Sequence, residues 1–200
     1  MKNLKMLVLA ALALLVGMAI AGAASASATV LCKTNTSPCS EKYPAGTEIK
    51  AWMSGTNTLA TTEGTTLDTC SGGDLAGPTK TAGSATETVG GPVSALTWTS
   101  CTEPTVTISL GQTETHWSSG SNGLYTSGGG TQVTVNTTVV GSCVFTIPSG
   151  STIGTVTGGA TATVDINAAV TRVSGLCPST VKWVGTFQVT SPSPLYIEPS

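Results

Sequence analysis

The chain is poor in charge. Eight lysines and arginines and ten aspartates and glutamates make up 9% of its 200 residues, against about 25% in an ordinary soluble domain. Nucleic-acid binding needs a basic stripe that neutralises phosphates. Here the cations are few, scattered and outnumbered, so no nucleic acid is expected as a partner. Histidine occurs once, at His116. With no clustered imidazoles and no CxxC pair, neither a metal site nor a redox cofactor is expected. Aromatic residues are only 4% of the chain, too few to line a long sugar cleft of the kind paired carboxylates would serve. Helical periodicity is missing too. Past residue 28, no window of about 12 positions carries apolar residues at three- and four-residue spacing.

What is present begins with a leader. Lys2 and Lys5 form a short basic start, Met6 to Ala23 is an apolar run, and small residues follow at Ala24, Ala26 and Ala28. That order is the pattern of a secretory signal peptide over residues 1–28, with cleavage after Ala26 or Ala28. The reading leaves residues 29–200 as a single secreted domain with no membrane attachment after cleavage. A lipid anchor on Cys32 is not expected, because Leu31 is too large for the usual processing pattern. Without Lys2 and Lys5 the net charge is near −4.

Threonine takes the place of charge, at 37 positions. It is β-branched and suits the pleat of a strand, and its hydroxyl makes a polar surface without ionisation. Six cysteines, Cys32, Cys39, Cys70, Cys101, Cys143 and Cys177, read in an exported chain as a disulfide framework. Of about 15 pairings, sequence neighbours are expected: Cys32–Cys39, Cys70–Cys101 and Cys143–Cys177.

Apolar residues alternate with polar ones in many segments. Val106, Ile108 and Leu110 share one face; so do Val133, Val135 and Val139. The longest sets are Ala162, Val164, Ile166, Ala168 and Val170, and then Val181, Trp183, Phe187 and Val189. Ile49, Ala51 and Met53 repeat the pattern. These predict half-buried antiparallel strands. Gly-rich stretches such as "SGGD", "VGGP", "SGGG" and "TGGA" punctuate them as turns. About eight to ten strands result. The expected architecture is all-β, an antiparallel two-sheet sandwich of jelly-roll or immunoglobulin-like form, with a closed β-barrel as the alternative.

Candidate site residues are few. Trp52 falls on the polar Glu48/Lys50 face of its strand and is the first choice for stacking on a sugar ring or anchoring a partner. Trp117 and Tyr125 bracket "SSGSNGL" and come second. Trp98 and Trp183 read as core. His116 shares a polar face with Glu114, two residues away, and reads as solvent-exposed. A hydrolase would need a nucleophile in front of that pair. Ser118 and Ser119 lie nearby, but no Gly-x-Ser-x-Gly elbow presents one, so no catalytic residue is assigned. Asp68 and Asp74 flank Cys70 without the dense carboxylate spacing of a calcium loop.

The segments "LDTC", "GPVSALTWTSCTEPTVTI", "GSCVF" and "CPSTVKWVGTFQVTSPSPLYIE" resemble a group of small exported bacterial all-β proteins with six cysteines. The resemblance spans nearly all of the chain after the leader. It implies export and a disulfide-bonded β domain, and it brings no activity or site residue with it. The expected function is that of a non-catalytic secreted or cell-envelope protein with a binding or assembly role. An envelope polymer, a glycan, a protein or a second copy would be its partner. A carbohydrate-binding module is the alternative, and a secreted hydrolase ranks behind both.

Overall fold

The computed structural model describes residues 28–103, 105–137 and 141–200. The leader expected over residues 1–28 lies outside them apart from Ala28, as does Val139. No helix of the described residues is long and apolar enough to cross a membrane. The described chain forms strands alone. They are β1 (Thr29–Cys32), β2 (Glu48–Met53), β3 (Asn57–Thr61), β4 (Thr66–Gly72), β5 (Asp74–Pro78), β6 (Val89–Pro92), β7 (Ala95–Leu96), β8 (Thr99–Cys101) and β9 (Thr105–Ser109). After them come β10 (Gln112–Ser119), β11 (Asn122–Gly129), β12 (Gln132–Thr137), β13 (Gly141–Thr146) and β14 (Thr152–Thr157). The series ends with β15 (Thr163–Ser174), β16 (Thr180–Ser191) and β17 (Tyr196–Pro199). Seventeen strands exceed the eight to ten that turn spacing suggests. Many are short, and "VGGP", marked as a turn by its composition, is itself the paired strand β6.

The β15–β16 hairpin organises everything else. Both strands run for twelve residues, and their alternation is kept throughout. Val164, Ile166, Ala168 and Val170 are buried, as are Val181, Trp183, Phe187 and Val189 across from them. Burying one such large side chain stabilises by roughly 1.5–3 kcal/mol. Each strand of the hairpin then takes a different outer neighbour along its length. Near the open end, Thr163–Ile166 pairs with β14 and Phe187–Ser191 with β2. Near the tip, β15 pairs with β13 and Val181–Val184 pairs with β3.

Two halves therefore grow from one hairpin. The open-end half runs β6-β10-β11-β14-β15-β16-β2-β5-β7. The tip half adds β13, β12 and β9 beyond β15, and β3, β4 and β8 beyond β16. All pairings are antiparallel. The expected two stacked sheets are replaced by a single curled, half-barrel sheet, because the long central strands belong to both halves and carry their twist from one into the other. The barrel alternative is approached only at the open end. There residues 89–96 pair with β10 through β6 and with β5 through β7.

A separate two-stranded ribbon, β1 with β17, packs into the concave side of the open-end half. All four residues of β1 are buried. Thr29 Oγ1 accepts the Trp117 backbone N–H at 2.7 Å and so ties the ribbon to β10. The disulfides join Cys32 to Cys39, Cys70 to Cys101 and Cys143 to Cys177, the sequence neighbours. The last two both lie in the tip half, one across β4–β8 and one from β13 to the loop between β15 and β16. Trp98, leading into β8, packs on Trp183 with ring centroids 5.5 Å apart at 53°, in keeping with the core role its alternation predicts. Leu110 departs from its alternation and is exposed. It lies one residue past β9, whose pairing ends at Ser109, and no second layer covers it.

Candidate functional site

Alternation along β2 turns Ala51 and Met53 inward, where both are buried, and turns Trp52 outward, where it is 54% exposed. The register then fixes its company. Trp52 stands opposite Asp74 on β5 and Gln188 on β16. Gln188 stands opposite Thr163, and Thr163 opposite Thr157. The result is a row of outward side chains, Asp74–Trp52–Gln188–Thr163–Thr157, crossing five strands. Directly opposed residues on one face have Cβ atoms about 4.5–5.5 Å apart, so the indole is flanked by a carboxylate on one side and an amide on the other. Lys50, two residues along β2, lies on the same face and is exposed. Asp74 also accepts a hydrogen bond from Thr97 Oγ1 at 3.4 Å, which steadies its carboxylate.

A second row lies beside the first. It runs His116–Leu124–Thr155–Asp165–Thr186. Asp165 accepts from Thr186 Oγ1 at 2.8 Å and from Thr163 Oγ1 at 3.2 Å, linking β15 to β16 through side chains. Hydroxyls, amides and carboxylates thus make up most of these two rows, with Lys50 beside Trp52. An exposed indole in such a face offers stacking area, and the flanking groups offer hydrogen bonds to hydroxyls.

The four candidate residues do not meet in one place. His116 is half-buried on β10, five strands from β2, or about 24 Å at roughly 4.8 Å per strand. Its Nε2 lies 3.4 Å from Glu114 Oε2 and 3.2 Å from Thr126 Oγ1, so it is partly sheltered instead of fully in solvent. Trp117 points to the other side of β10 and packs in part on the core. Its indole N–H donates to the Gly120 carbonyl at 2.8 Å. Tyr125 also faces inward, opposite Thr115. Burial pushes its phenol above the ordinary value of 10.0, and a hydrogen bond with Thr113 offsets part of that rise. Trp52 is the most exposed of the four.

The hydrolase geometry has a different outcome from the one its residues invite. Ser118 Oγ donates to the Asn122 carbonyl at 3.2 Å, and His116 bonds a threonine. Asp68 is buried and accepts from Thr102 Oγ1 at 2.8 Å and the Glu103 N–H at 3.0 Å. Asp74 is exposed on the next strand. Asp68, Cys70 and Cys101 form a cluster of ligand type, but both sulfurs are consumed in a disulfide. The sequence marks Trp52 by its face. It carries no sign of Asp74, Gln188 or Thr163 as companions, because alternation assigns faces within a strand and says nothing of which strands lie side by side. Comparison with known protein families, with curated proteins and with solved structures returns no match.

Proposed function

We propose that this is an exported, non-catalytic binding protein that acts through the outer face centred on Trp52. All six cysteines are paired, which suits an oxidising, extracellular-type environment. The observation that carries the binding reading is the indole of Trp52, 54% exposed between Asp74 and Gln188 while its chain neighbours are buried. Sugar is the ligand chemistry this arrangement fits best. A pyranose ring stacks its C–H face on the indole, and its hydroxyls donate to the Asp74 carboxylate and exchange hydrogen bonds with the Gln188 amide. The opposite charges of Lys50 and Asp74 beside the indole offset each other, which favours a polymer without net charge, of the envelope or its surroundings.

The test is a glycan array with the wild type and Trp52→Ala. Signal on a neutral polysaccharide that falls at least about tenfold in the variant is the expected result. A wild type silent on every glycan, or a variant that binds equally well, would remove the reading.

A further inference from the structure

The inner side of the open-end half holds a cavity of about 90 Å³. Leu31, Ala51, Val89, Val164, Val189 and Ile197 line it, drawn from the ribbon and from both flanks of the curled sheet. Ala51 and Trp52 are consecutive, so cavity and outer face lie on opposite sides of one strand. Every lining side chain is uncharged. An ion entering such a space would lose its hydration with nothing to replace it. The polar groups available are hydroxyls, above all the Tyr125 phenol and its partner Thr113.

One wall of the cavity is a seam. The Ser94 N–H donates to the Ala76 carbonyl at 2.8 Å, and the Lys80 N–H donates to the Gly90 carbonyl at 2.7 Å. Counting two residues inward from either bond puts Pro78 opposite Pro92. That position would carry two ladder bonds, and neither residue has an N–H to give. The backbones still press together. A Cβ at Gly77 would strike the Pro92 carbonyl, and one at Gly91 would strike the Pro78 carbonyl. β5 and β6 are therefore closed by contact and by bonds at the two ends, with nothing in the middle. Pro92 is exposed, so the gap between bonds reaches the surface.

We infer that this cavity binds a small neutral aliphatic molecule, with its alkyl part against the valines and a hydroxyl on the Tyr125–Thr113 pair, admitted through the Pro78–Pro92 seam. Size follows from comparison. An apolar cavity of about 150 Å³ takes benzene, so this one, at about 90 Å³, takes roughly four heavy atoms, the size of a three-carbon alcohol. The site is separate from the Trp52 face, and its test does not depend on sugar binding.

Xenon and propan-2-ol are the probes, read by methyl NMR on the disulfide-bonded protein. Saturable shifts confined to methyls such as Val89, Val164, Val189 and Ile197 are expected with both. Tyr125→Phe should weaken the alcohol about tenfold and leave xenon unchanged. Ala51→Leu fills the space and should abolish both; Val164→Ile serves the same end if the first variant does not fold. Pro78→Ala supplies an N–H at the seam and should slow xenon exchange without changing its affinity. No saturable shift in the wild type, or shifts that persist in a folded cavity-filled variant, would overturn the site. Tighter binding of decan-1-ol than of the three-carbon alcohol would overturn the free small molecule as ligand, and unchanged exchange in Pro78→Ala would overturn the seam as its route.

Discussion

The two halves of the molecule share one hairpin and spend it differently. In the tip half, one disulfide crosses between strands, a second ties a strand to the hairpin loop, and the Trp98–Trp183 pair fills the interior, leaving a void of only about 10 Å³. In the open-end half no disulfide joins two strands of the sheet. Its interior keeps about 90 Å³ of space, and its edges meet at a seam that two prolines keep from zipping. The contrast shows rigidity and give built from the same β15–β16 scaffold. Covalent closure and large rings hold one end, and glycine, proline and threonine line the other.

Removing the Cys143–Cys177 bridge is the strongest way to break the contrast. The cysteines are 34 residues apart, and the double change to serine should cost about 3–4 kcal/mol, lowering Tm by on the order of 10 °C. Thermal unfolding under non-reducing conditions measures it. A shift of a degree or two would mean the tip half does not set the stability. Hydrogen exchange sharpens the comparison next. Amides of Lys80 and Ser94 at the seam should exchange on the order of a hundredfold faster than those of Val181–Val184 between β15 and β3. Equal protection would mean the seam is as firm as the tip.

Alkaline pH probes the open-end half alone. Burial holds the Tyr125 proton above the ordinary pKa of 10.0, so above that pH the folded chain retains a proton that the unfolded chain has lost. Stability is complete below pH 10 and declines as pH rises through the folded-state value. Tyr125→Phe should flatten that part of a Tm-against-pH curve. The smallest effect belongs to Trp52→Ala, which sits outside both interiors. It should change stability by less than about 0.5 kcal/mol in a denaturant titration even while it removes binding. A larger loss would mark the indole as a packing residue.

Much of the tip half was legible in the sequence. Alternation set the buried faces of β15 and β16, assigned Trp98 and Trp183 to the interior, and proximity along the chain matched the cysteines. The open-end half was less so. "VGGP" and the glycine of "DLAGP" look like turn composition, yet Gly77 and Gly91 serve close approach between backbones, a use that no local pattern distinguishes from a turn. Thr113, Thr115 and Trp117 alternate with Glu114 and His116 along β10, but the sequence does not say that the threonine side is the inner one. Polar hydroxyls on an inward face break the rule by which the other strands are read. For the same reason the candidate site was legible only as Trp52. Its neighbours Asp74 and Gln188 come from strands about twenty and more than a hundred residues further along the chain, joined by register alone.

The β1–β17 ribbon imposes an order of events. The first and the last of the described strands are each other's partners, so Val30 and Leu31, both buried at the end, stay unsheltered until Tyr196–Pro199 has arrived. A chain made amino end first cannot finish this interior until β17 has emerged. The last step of its folding is then a slow search between segments far apart in the sequence, with the early apolar strand open to whatever holds or captures it in the interval.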